Sequence, residues 1–152
     1  MQLSEAFTVL GEEPFAQLVR RISIGKLRTY QLYEGLKTRA HLPKINSEHL
    51  RKATPRLLAR LAAGEEELAK ELAQAVLVSH LDMIQAVLDF LGIPNQNGFF
   101  DKNLEASAYF TEGWQQRVWE KFRAQFAEPA LLLYINHLGW ELAKQPEVFR
   151  PA

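Results

Sequence analysis

Few residues in this chain could do chemistry, and the sharpest of them is a histidine. His80 lies in the apolar tract Ala73–Leu91. Winding the tract as one helix from Leu72 at 100° per residue puts His80 at 80°, within an arc holding Val76, Val87, Leu91, Ile84, Leu77, Leu88 and Leu81. Burial there would lower its pKa and keep the imidazole neutral, the form that ligates a metal, takes a proton or hydrogen-bonds a ligand. A core histidine bonded to a carbonyl and a hydroxyl suits the same position.

His137 and Glu141 stand four apart near the end of the chain and share a helical face. Such a pair can chelate a divalent cation and is equally an ordinary surface pair. No glutamate lies three residues before a histidine, and His-x-x-x-His and His-Glu-x-x-His are absent. A metal centre on His80, His137 and Glu141 would therefore need the two histidines to meet in space, and no cofactor is expected.

Other catalytic signatures fail. The sequence has no Gly-x-Ser-x-Gly elbow, no phosphate loop ending in Gly-Lys-Ser or Gly-Lys-Thr, no Gly-x-Gly-x-x-Gly and no cysteine. The missing cysteines exclude disulfides, thiolate metal sites and thiol nucleophiles, and they fit a reducing, cytoplasmic setting. Ser79 adjoins His80, but neighbours on a helix diverge by 100° and do not pair as nucleophile and base.

A turn at 93–101 carries Phe99 and Phe100 beside Asn95, Asn97 and Gly98. With His80 and Trp114 these aromatics outline an apolar ligand pocket or an anchor for a partner. The plainer expectation is that they fold back on Trp114, Trp119, Trp140, Phe122 and Phe126.

Charge is segregated although the total is zero. Arg20, Arg21, Lys26, Arg28, Lys37, Arg39, Lys44, Arg51, Lys52, Arg56 and Arg60 face only Glu34 and Glu48 between positions 20 and 60, a net +9. Residues 1–19 carry −3 and residues 61–152 carry −6. A nucleic acid could use that cluster, or the acidic remainder could neutralise it within the fold or across a dimer. Gly25 between two helical stretches, with Lys26 and Arg28 leading the second, has the outline of a helix-turn-helix. Base-reading side chains are sparse there apart from Gln31, and Tyr30 and Tyr33 are too few for a stacking platform.

The elements that must position these residues read as helices. Phe15, Leu18, Val19 and Ile22 make an apolar stripe between Pro14 and Gly25, and a looser one follows over 27–42 until Pro43. Asn46 or Ser47 can cap the next piece, and Thr54–Pro55 restarts the chain as far as Gly64. Two short pieces are expected, since proline inside a helix costs about 3 kcal/mol. Glu65–Glu67 suit the dipole at the start of a helix over 65–91, and Gly92 with Pro94 stops it. A helical stretch over 104–110 precedes one with Trp114, Val118, Phe122 and Phe126 on a face. The last helix opens at Glu128–Pro129 and buries Leu131, Ile135, Leu138 and Leu142, before Pro146 and Pro151 mark a loose tail.

No segment alternates with a strand period. The expectation is one all-α domain, 1–152, of about six or seven helices around the 65–91 helix. The acidic N-terminus is unlike a signal peptide, and the polar residues within Ala73–Leu91 argue against a membrane span. The best functional expectation is a non-catalytic protein acting through protein–protein contact or self-association. Nucleic-acid binding is the alternative, and a metal-dependent or small-molecule enzyme on His80 and His137 the third.

Overall fold

In a computed structural model, which describes residues 1–22, 47–101 and 103–152, the periodic segments form an all-α bundle. Among the described residues there are seven α-helices: α1 (Leu3–Thr8), α2 (Glu12–Arg20), α3 (Ser47–Ala62), α4 (Glu66–Leu77), α5 (Leu81–Leu91), α6 (Trp114–Phe122) and α7 (Glu128–Glu141). The looser stripe over 27–42 and the Gly25 turn lie outside the described residues.

The first helix gave no strong sequence signal, since six residues are too short to establish a period. Its Leu3, Ala6 and Phe7 are nonetheless buried, and the Phe7 ring meets Phe15 of α2 edge-on at 6.0 Å. Both helices pack on α3. The expected division of α3 at Pro55 does not occur: one helix runs from Ser47 to Ala62 with Pro55 inside and exposed. Ala53, Leu57 and Leu61 are buried on its other side, and that shared face holds the helix together across the lost hydrogen bond.

The 65–91 tract is helical but is two helices. Val78–His80 form a 3-10 turn, and His80 itself has φ −126° and ψ 38°, outside helical geometry. The tighter winding turns the second half away from the first. Leu72, Val76 and Leu77 of α4 are buried in the part of the bundle made with α1, α3 and α7, whereas Met83, Ile84, Val87 and Leu88 belong to α5, which packs on α6. By length and composition alone, Glu66–Leu91 is a run that could cross a membrane. In this fold its apolar residues largely build the core.

The bundle's centre is shared between α4 and α7. Helix α7 touches α1, α2, α4 and α6, and it buries residues around most of its circumference, including Leu131, Leu133, Ile135 and Asn136. The stretch expected as a helix at 104–110 is instead a chain of turns. Asp101 takes the Asn103 N–H on its carboxylate at 2.9 Å and the Leu104 N–H on its carbonyl at 3.1 Å. This short acidic side chain offers the backbone local partners that compete with a helical ladder. Nor is the tail loose: Phe149 is bonded to Asn136 and Ala152 to Gln116.

Candidate functional site

His80 does not sit in the core. The 3-10 turn breaks the wheel on which it was placed, and the residue is half-buried. It borders an open cleft of about 350 Å³ lined by Val78, Ser79, Leu81, Asp82, Met83 and Phe126. Phe99, Phe100 and Trp114 are not among the residues that line this cleft.

The 93–101 segment is a tight, bonded turn. Gln96 and Phe99 exchange backbone hydrogen bonds at 2.8 and 3.0 Å, and Asn97 and Gly98 have φ of 53° and 91°. Positive φ at both central positions belongs to a type I′ turn, for which Asn-Gly is the favoured pair. Asn95 adds a brace by accepting the Gly98 N–H at 3.1 Å and donating to Asp89 at 2.9 Å. Gly98 is packed onto Ile84 of α5. The turn divides the two phenylalanines, with Phe100 packed against the core and Phe99 65% exposed.

Trp114 is fully buried at the start of α6, its ring 4.7 Å from that of Phe110. Its Nε1 has no hydrogen-bond partner among the described residues. The aromatics that reach the surface near His80 are others. Phe90, 43% exposed, meets Phe122 edge-on at 5.6 Å, and Phe122 meets Phe126 at 5.8 Å. A row of three rings thus runs from the α5 surface to the His80 cleft. An expectation built on helical wheels missed Phe90, because α5 is apolar around much of its circumference.

The second histidine is half-buried as well. His137 lies between the rings of Tyr134 and Trp140, at 6.4 and 5.8 Å. Burial pushes its pKa down to about 4, and burial also raises the Tyr134 hydroxyl well above its ordinary range. His137 Nδ1 approaches Glu141 Oε2 at 3.4 Å without hydrogen-bond alignment, so the neutral imidazole and the carboxylate are neighbours rather than an ion pair. No group of three or more His, Asp or Glu side chains able to hold a metal occurs among the described residues, so His80, His137 and Glu141 do not converge.

Of the basic cluster, Arg20 lies 3.6 Å from Glu13, and Arg60 bonds Glu65 through Nε at 2.7 Å and Nη2 at 2.6 Å. Lys52 and Arg56 are exposed on α3 and Arg21 follows α2. Lys26, Arg28, Lys37, Arg39, Lys44 and the Arg51 side chain lie outside the described residues.

Two polar residues that tie distant segments together, one in the core and one at its edge, carry no motif in the sequence. Asn136 is fully buried and bonded to the tail, and the Glu66 carboxylate accepts the backbone N–H groups of Leu3 and Ser4. An amide inside the apolar run LLLYINHL was the available signal for the first, because a buried amide must be bonded to something. No protein-family model, curated protein or solved structure matches this chain.

Proposed function

We propose that this protein acts without chemistry of its own, by contact with another protein, a second copy of itself being the first partner to test. The observation that supports this reading is Phe99. A large aromatic ring, 65% exposed, stands on a turn locked by paired backbone bonds and by Asn95, while its neighbour Phe100 anchors the turn to the core. A ring held in place before binding loses little conformational entropy on contact, which is how aromatic anchors come to dominate interface energies. Phe90, with Phe122 and Phe126 behind it, supplies a second exposed anchor.

The test is sedimentation equilibrium of the purified chain and of Phe99→Ser. Self-association that weakens at least tenfold in the variant, with its unfolding midpoint unchanged, supports the reading. A monomer up to millimolar concentration, or association indifferent to Phe99→Ser, removes Phe99 as a self-contact. The nucleic-acid alternative is put to fluorescence anisotropy with labelled oligonucleotides over a salt series, where binding through phosphates weakens steeply as salt rises.

A further inference from the structure

Beyond α7 the chain reverses at Lys144, a non-glycine residue with φ of 52°, and returns along the helix that it has just left. Three backbone N–H groups of the returning segment are captured. The Gln145 N–H donates to the Gly139 carbonyl at 2.8 Å, the Phe149 N–H to Asn136 Oδ1 at 2.7 Å, and the Ala152 N–H to Gln116 Oε1 at 3.2 Å. Asn136 is 0% exposed and uses its other end as well, donating from Nδ2 to the Phe149 carbonyl at 3.2 Å and to the Leu132 carbonyl at 3.3 Å. Gly139 lets the segment come close, since a Cβ there would lie 3.2 Å from Gln145 Cγ. The Phe149 side chain packs against the core, while Pro146, Glu147 and Arg150 face solvent.

This is how a protein reads an extended peptide: main-chain hydrogen bonds supply affinity, and one seated side chain supplies selection. We propose that the groove formed by Gln116, Asn136 and Gly139 is a peptide-binding site, and that its exchange occupant is the 145–152 segment of a second copy of this chain. The segment already seated there shows the fit. Supplied in trans it makes the same bonds, and the hinge is then free of the left-handed conformation that Lys144 holds, which is unfavourable for a residue with a Cβ. Exchange of an identical element between copies is a low-cost route to a dimer. The groove is separate from the Phe99 face and does not depend on it.

The probe is a fluorescein-labelled peptide spanning residues 143–152, AKQPEVFRPA, titrated into full-length protein. In the wild type the tethered segment competes at an effective concentration of about millimolar. Full-length Phe149→Ala, which loosens that segment, is expected to bind the peptide at least tenfold more tightly than the wild type does. A peptide N-methylated at the residue equivalent to Phe149, which lacks the hydrogen donated to Asn136, is expected to bind at least tenfold more weakly. No binding to a folded Phe149→Ala variant at millimolar peptide, or equal binding of the methylated peptide, overturns the site. Should Phe149→Ala fail to fold, the wild type at millimolar peptide decides it, with the methylated peptide again expected to fail.

The second-copy occupant is tested by sedimentation of the wild type. A dimer dissolved by the peptide is the expected result, whatever Phe99→Ser does to a contact through the other face. A chain that stays monomeric at every concentration overturns the exchange, and a dimer lost in Phe99→Ser but untouched by the peptide overturns it in favour of the Phe99 face.

Discussion

Ser4 donates its backbone N–H to Glu66 Oε1 at 3.0 Å, and Leu3 donates to Oε2 of the same carboxylate at 3.0 Å. A side chain in the first turn of α4 thus closes the N-terminus of α1, far away in sequence. Burial alone would raise the Glu66 pKa, but the Ser4 hydroxyl, the two backbone donors and Lys70 outweigh it and hold the carboxyl below its ordinary 4.5. Charge-assisted bonds of this kind are worth more than neutral ones. Glu66→Gln is therefore expected to cost about 1 to 2 kcal/mol in urea unfolding at pH 7. A loss under a few tenths of a kcal/mol would mean that water replaces the carboxylate there. Since the folded pKa is depressed, this stabilisation is complete above the unfolded value and disappears as pH falls through the folded one.

His137 sets a different window. Its pKa falls from 6.5 to about 4 on burial, so between those values the unfolded chain binds the proton that the folded chain refuses. Stability accordingly rises with pH from about 4 to 6.5 and is lost on the way down, by up to about 3 kcal/mol. His137→Phe keeps a ring against Tyr134 and removes the titration. The difference in unfolding free energy between wild type and variant, measured from pH 4 to 7.5, is expected to carry that slope; a flat difference would show that His137 takes up its proton equally in the folded and unfolded chains.

What the sequence made legible followed from local periodicity. The stripe Phe15–Leu18–Val19–Ile22, the face Trp114–Val118–Phe122 and the apolar run after Pro129 are each buried. The Asn97–Gly98 pair marked its turn for the same reason, because left-handed geometry has few residues that suit it. What failed depended on distant partners. The placing of His80 rests on a continuous helix, which a three-residue 3-10 turn interrupts; the His137–Glu141 pair reads equally as a surface pair, whereas His137 is half-buried between two rings of its own helix. Pro55 was weighed by its local cost alone, although α1 and α2 cover the helix that contains it. The tail looked loose because Pro146 and Pro151 say nothing of the amide that waits for Phe149.

The Asn97–Gly98 turn should be sensitive at one position and tolerant at its neighbour. A Cβ on Gly98 would stand 3.1 Å from Ile84 Cγ2 and 3.5 Å from the Leu81 carbonyl oxygen, on a backbone with φ of 91°. Gly98→Ala is expected to lower stability by about 1 to 3 kcal/mol through that strain and contact. Asn97→Gly leaves the turn geometry accessible and should stay within about 0.5 kcal/mol of the wild type. Urea midpoints of the two variants measure the contrast, and equal values would show that the turn does not hold Gly98 against α5.

Pro55 offers the opposite sign. Within α3 it removes the N–H that would bond the carbonyl four residues earlier, and its ring crowds that carbonyl. Its exposed position means that replacement forfeits little buried contact. Pro55→Ala is expected to raise stability by about 1 to 2 kcal/mol, less than the full proline penalty because the unfolded chain also regains freedom. Thermal unfolding with matched circular dichroism would register the gain as a higher midpoint at unchanged or slightly greater helicity. A lower midpoint would show instead that the ring matters to the cleft between α2 and α3, which Pro55 lines with Ala16, Leu58 and Ala62. Pairing the substitution with Ala16→Gly separates these two effects: the loss from the added variant should be the same in both backgrounds if Pro55 acts only on its own helix.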